Sequence, residues 1–196
     1  MFDQLFALAG SQLDCRVRHI FKLPHAATMG LAILTLCSLA PCAVAQHSDM
    51  AVMKRLVRMR FPSVSQLSTA ELAKWLTDSK RQPPVLLDVR KEEEYAVSHL
   101  PGAIRVEPGA SPEAVRSRIP PNRPVVTYCS VGYRSSALAQ QLGKAGVNAV
   151  YNLEGSIFQW ANEGRPVEAE GRRVERVHPY NRTFGKLLDQ KRRAKL

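Results

Sequence analysis

Cysteine is scarce in most of this chain. The 196 residues include four, and Cys15, Cys37 and Cys42 all fall within the first 45. Beyond that point Cys129 stands alone, which excludes an internal disulfide and a cysteine-rich zinc site from the remainder. The 5 histidines show no metal-ligand spacing, so neither a metal nor another cofactor is expected. Acidic residues are outnumbered, with 17 Asp and Glu against 28 Lys and Arg and a formal net charge of +11. Internal repeats and low-complexity segments are also missing. With ordinary apolar content, these absences leave one globular core with appendages.

Charge is missing altogether from residues 26–45, which contain Leu31, Ile33, Leu34 and Leu36 and follow Arg16, Arg18 and Lys22. Small residues, Ala43-Val44-Ala45, close the stretch where a signal peptidase would cut. Residues 1–45 are therefore expected to be a secretory signal, with export to the bacterial periplasm. The alternative is a membrane anchor through residues 26–45, since about 20 apolar residues can span a bilayer. Leu39-Ala40-Pro41-Cys42 is also similar to a lipoprotein box, from which the proline before the cysteine departs. Cleavage would remove three cysteines and leave Cys129 as an unpaired thiol in an oxidising compartment, a placement that favours a chemical use over simple packing.

Residues 46–63 mix apolar and basic side chains and read as a linker or short helix closed by Pro62. Ser68-Thr69-Ala70-Glu71 has capping-box spacing ahead of Leu72, Trp75 and Leu76, predicting a helix to about Lys80. Short apolar runs follow at Val85-Leu86-Leu87, Ala103 to Val106, Val125 to Tyr128 and Val150 to Leu153. Helical patterns lie between and after them, from Glu92 to Val97, from Ser111, from Ser135 to Ala145 and from Ser156 to Asn162. Strands alternating with helices predict an α/β fold with a mostly parallel sheet, whose ligands bind beyond the carboxyl ends of the strands.

Cys129 sits at one of those ends and opens the loop Ser130, Val131, Gly132, Tyr133, Arg134, Ser135, which runs into a helix. Backbone amides and a helix N-terminus converge there, so the thiol should ionise easily and tolerate an anion beside it. Gly132 supplies backbone freedom, and Tyr133 is expected at the rim. Arg134 is the loop's one cation, suited either to a bidentate oxyanion or to a salt bridge with Asp88 or Glu94. Asp88 and Arg90 follow a strand on the same edge and are expected to support the loop as an ion pair or by a hydrogen bond to it. His99 reads as a turn histidine.

Four pieces in order carry a family resemblance: Leu87-Asp88-Val89-Arg90 with Glu94-Tyr95; His99-Leu100-Pro101-Gly102-Ala103; Cys129 to Arg134; and Leu153-Glu154-Gly155 with Trp160 and Gly164-Arg165-Pro166-Val167. Over residues 64–168 the chain resembles the rhodanese (sulfurtransferase) family in a single-domain form. The resemblance implies a three-layer α/β fold, a five-stranded parallel sheet with helices on both faces. It implies that Cys129 is the nucleophile and persulfide carrier, moving sulfane sulfur from thiosulfate or a similar anionic donor to cyanide or a thiol, including a thiol on a protein. Where that family often has two glycines this chain has Glu154-Gly155, expected to be a tolerated variant near the rim. Four residues separate Cys129 from Arg134, one fewer than in cysteine-dependent phosphatases of related architecture, which disfavours phosphoryl chemistry. A non-enzymatic sulfur-carrier module of the cell envelope is the other alternative.

Residues 169–196 form a basic extension. Nine Lys or Arg from position 171 onward accompany Val177, Tyr180, Phe184, Leu187 and Leu188. The expectation is a solvated, partly helical segment resting a few apolar residues on the domain. An anionic membrane surface or an acidic partner is the alternative, and nucleic acid is disfavoured for an exported chain.

Overall fold

A computed structural model of the chain describes residues 41–196, with side chains from residue 49. Most of the expected signal segment lies outside the described residues, and residues 41–45 open helix α1 (Pro41–Arg60). This helix is longer than the pattern predicted. Met50, Met53 and Val57 recur at helical spacing and are buried against the domain. Pro62, just beyond its end, prevents continuation.

The chain then alternates: β1 (Ser65–Leu67), α2 (Thr69–Thr77), β2 (Val85–Asp88), α3 (Glu92–Val97), β3 (Ile104–Arg105), α4 (Pro112–Arg116), β4 (Val125–Tyr128), α5 (Tyr133–Lys144), β5 (Val150–Leu153) and α6 (Ser156–Asn162). The five strands form one sheet in the order β1-β5-β4-β2-β3, with every pairing parallel. Parallel neighbours require crossovers, and the helices supply them on both faces. On one face Val85, Leu87 and Val125 pack with Leu138 and Leu142 of α5 and Val115 of α4. On the other, Tyr151 meets Trp75 of α2 edge-on, ring centroids 5.8 Å apart.

Sequence and structure part at several ends. The helix opened by Ser68 has the full capping box, but it stops at Thr77 rather than Lys80. Asp78 turns the chain there by accepting the Lys80 amide on its side chain at 2.9 Å. β3 keeps only Ile104 and Arg105 of the expected run, because those are the residues that pair with Leu87 and Asp88. α5 begins at Tyr133, two residues before the periodic pattern, with Gly132 as its cap. The residue pattern placed four of the five strands that the resemblance implies and left β1 unplaced, since Ser-Gln-Leu has no strand signal and extends by pairing with β5.

After α6 the chain makes an antiparallel hairpin, β6 (Val167–Ala169) and β7 (Arg172–Val174). Two short 3-10 turns follow, Phe184–Leu187 and Gln190–Arg192. All the described residues belong to one compact unit. No helix among them is long and apolar enough to cross a membrane.

Candidate active site

β4 is buried along its whole length and lies mid-sheet, so its carboxyl end delivers Cys129 into the interior, where the residue is 1% exposed. The loop that follows is tied to α6. The Cys129 amide donates to Ser156 Oγ at 3.1 Å. The carbonyls of Cys129 and Ser130 accept the Ile157 and Phe158 amides at 3.2 and 3.1 Å. These bonds satisfy amides that the first turn of α6 would otherwise leave without partners.

Gly132 turns the loop into α5 with φ 107°, a conformation that favours glycine. A Cβ there would stand 3.3 Å from Asn152 Nδ2. The turn aims the Gly132 amide back at Cys129, donating to Sγ at 3.1 Å. Asn152 is buried and holds the other side of the loop by accepting from Ser135 Oγ at 2.6 Å. Its own amide donates to Gln66 Oε1 on β1 at 2.6 Å.

Burial alone would push the Cys129 thiol up. The Arg134 charge, the Ser135 hydroxyl and amide and the Gly132 amide outweigh it, and the thiol ends below its ordinary value. Of the two carboxylates weighed for Arg134, Glu94 is the one it meets. Nη1 donates to Oε2 at 2.8 Å and Nη2 to Oε1 at 2.9 Å, a fork-to-fork pair. Nη2 also donates to Ser130 Oγ at 3.0 Å, and that hydroxyl donates to Glu94 Oε1 at 2.9 Å. Burial would raise the Glu94 carboxyl, but Arg134, the Lys91 amide and Arg90 hold it below the usual carboxylate range.

Asp88 and Arg90 lie one strand away and pair with each other, both fully buried. Arg90 Nε donates to Asp88 Oδ1 at 2.9 Å and Nη2 to Oδ2 at 2.6 Å, while Nη2 also reaches the Ser98 carbonyl at 2.6 Å. This pair fastens the start of α3, the helix that carries Glu94, to the turn at its far end. Tyr133 packs edge-on against Phe61, with centroids 5.1 Å apart. Val131 is buried. His99 stacks on Tyr95 at 3.9 Å with Nδ1 3.2 Å from the Tyr95 carbonyl. A cavity of about 260 Å³ opens beside Tyr133 and Arg134, lined by Val89, Val106, Ala110 and Leu138.

Three positions were missed or misread from the sequence. Ser156 and Asn152 hold the loop through long-range contacts that no local pattern announces. Glu154 was expected near the rim, yet it is 6% exposed. It pairs with Lys54 at 3.3 Å and with Arg58, so it anchors α1 beside the site. The basic residues of α1, Lys54 and Arg58 among them, were the available signal. Among the described residues no cluster of His, Cys, Asp or Glu could hold a metal ion.

Comparison with known proteins bears on this geometry. Residues 68–163 match the family model of the rhodanese-like domain. A sulfurtransferase of Allochromatium vinosum is 33% identical over 106 residues, 54% of this chain and 96% of that protein. The putative sulfurtransferase YtwF of Bacillus subtilis is 29% identical over 103 residues, 53% of this chain and 96% of that one. The crystal structure of the thiosulfate sulfurtransferase from Pseudomonas aeruginosa superposes with a TM-score of 0.52 at 25% identity, over 72% of this chain and 26% of that chain. These matches support a sulfurtransferase-type function. With near-complete coverage of a relative one-third identical, and a site assembled from the motifs that carry the resemblance, the chain belongs to the rhodanese-like family.

Proposed function

We propose that the chain transfers sulfane sulfur through a persulfide on Cys129. The Cys129 thiolate attacks the outer sulfur of thiosulfate, a new S–S bond forms, the old S–S bond breaks, and sulfite leaves with the bonding electron pair. Cyanide or a thiolate then attacks the outer sulfur of the persulfide, giving thiocyanate or an acceptor persulfide and returning the Cys129 thiolate. No oxidant or reductant is consumed. Both steps need an ionised sulfur at the same spot, which is nucleophilic catalysis by an activated thiolate.

The observation that carries this reading is the setting of the Cys129 sulfur. The Gly132 amide is aimed at it, and the Arg134 charge beside it favours the anion. Such donors stabilise a developing anion without reorganising, because the loop is already bound to α6 and β5. The proposal includes an exported location, carried by the pattern of residues 1–45, and an acceptor from another molecule. Beyond residue 45 there is no second cysteine to resolve the persulfide.

The test is a thiosulfate-to-cyanide transfer assay on the full chain, with intact mass after thiosulfate treatment and Cys129→Ser beside it. Thiocyanate formation and a gain of one sulfur, both lost in Cys129→Ser, are expected. Sulfur gain without thiocyanate would redirect the proposal to a carrier that serves a protein acceptor. Phosphate-ester hydrolysis with no sulfur uptake would overturn it.

A further inference from the structure

The segment beyond β7 lies outside the rhodanese-like match, and it folds back onto the site. Val177, Phe184, Leu187 and Leu188 are buried. The Val177 amide donates to the Arg192 carbonyl at 2.8 Å and the Ala194 amide to the Val177 carbonyl at 3.0 Å, so the segment closes on itself. Asn162, at the end of α6, fixes it to the domain by donating to the Leu187 carbonyl at 2.8 Å and accepting the Asp189 amide at 2.9 Å.

Between these anchors the Asn181 amide donates to the Pro179 carbonyl at 2.7 Å. That closes a three-residue turn with Tyr180 at its centre and φ 64°, a conformation that bulky residues resist. Two contacts hold it. The Tyr180 amide donates to His178 Nδ1 at 3.1 Å, and the Tyr180 ring meets Phe184 edge-on with centroids 5.6 Å apart. The turn sets the Tyr180 ring against the Arg134 guanidinium, 4.8 Å from its carbon to the ring centroid.

We propose that Tyr180 is a positioning residue of the Cys129 site, its ring fixing the Arg134 guanidinium in place against Glu94 and Ser130. Arginine is long and has many rotamers, and the edge of Arg134 is occupied by Glu94 and Ser130. Its open side is the face, where water could solvate and screen the charge. An aromatic ring on that face replaces the water and attracts the cation. The charge then acts on Cys129 from one fixed position. The titratable groups that face Arg134 here include Glu94 on α3, the Cys129 thiol and, from the C-terminal segment, His178. That histidine is held below its ordinary value first by burial, and Glu94, Arg90, Glu93 and Arg134 are within its electrostatic reach.

This inference shares the thiolate with the proposed function, so it is tested on the thiol itself. Iodoacetamide alkylation of the full chain, scored on the proteolytic peptide that carries Cys129 and followed against pH, separates ionisation, read from the midpoint, from access, read from the plateau. In Tyr180→Leu, which keeps apolar bulk without a π face, the rate below the midpoint should fall about threefold while the plateau holds or rises. Tyr180→Phe should restore the wild-type profile. A Tyr180→Leu profile that superposes on wild type, or a Tyr180→Phe profile as displaced as that of Tyr180→Leu, overturns the proposal. Sulfur uptake from thiosulfate by the wild type is scored separately. If uptake fails while the Tyr180→Leu profile moves, the sulfur-transfer reading falls and the positioning role stands.

Discussion

At the scale of single residues, one carboxylate gathers several of the hydrogen bonds that hold Arg134 beside Cys129. Glu94 accepts from Arg134 Nη1 and Nη2, from Ser130 Oγ and from the Lys91 amide. A glutamine there has one oxygen in place of two, and its NH2 would face an arginine donor. Glu94→Gln should therefore cost about 2–3 kcal/mol in urea unfolding at neutral pH, because a largely buried guanidinium loses its partner. The pH dependence has a definite sign. The folded-state pKa of Glu94 is lowered, so its contribution is fully present above the unfolded value and is lost as pH falls through the folded value. The stability gap between wild type and Glu94→Gln should accordingly narrow on acidification. A gap that widens would show that the pair does not stabilise the fold. Cys129 follows the same rule for a lowered pKa. Its thiolate should persist below the ordinary thiol range, and wild-type alkylation should reach its plateau at a lower pH than an unstructured peptide thiol.

At the scale of elements, the short loop between β4 and α5 is shaped by its far ends. Gly132 adopts φ 107° so that its amide returns to the Cys129 sulfur, and Asn152 on β5 blocks the space a side chain would need. Gly132→Ala should cost about 1–3 kcal/mol. It should also move the alkylation midpoint of Cys129 toward the ordinary thiol value, since the amide would be aimed elsewhere. If the stability falls while the midpoint stays, the Gly132 bond does not help to ionise the thiol. Much of this level was readable from the chain. Ser68 and Glu71 announced a helix start through a local capping box, and the Val125 to Tyr128 run announced the strand that carries Cys129. What the sequence hid was non-local. β1 is extended only because β5 pairs with it, and Ser156 and Asn152 reach the loop across the sheet. Glu154 looked like a rim substitution until α1 brought Lys54 and Arg58 to it. Residues of this kind have no periodicity to betray them, because their partners are set by topology.

At the scale of the whole molecule, the C-terminal segment is integrated into the fold more fully than its basic composition suggests. Its nine basic residues suggest a largely solvated segment that rests a few apolar residues on the domain, and those contacts are close: Leu188 is fully buried and Phe184 and Leu187 nearly so. Apolar side chains spaced among charges can each be buried when a chain has no regular helix or strand to enforce a single face. Here the 3-10 turn Phe184–Leu187 packs on α1, and Asn162 bonds the segment to α6. The same segment presents Tyr180 to Arg134, so the proposed positioning role would couple its anchoring to the Cys129 site. Leu188→Ala, remote in sequence from every loop residue, distinguishes the two pictures. In a solvated appendage the substitution would be neutral. In the integrated fold it removes a buried leucine from a packed site and should cost about 2–5 kcal/mol. For a unit of this size that corresponds to a fall in Tm of about 4–20 °C, in one cooperative transition rather than as an early fraying step. Because the Tyr180 turn hangs on the same anchor, loosening it should also slow alkylation of Cys129 below its midpoint, in the direction expected of Tyr180→Leu. An unchanged Tm would return the segment to the status of an appendage. A lowered Tm with an unchanged thiol profile would separate its role in stability from any role at the site.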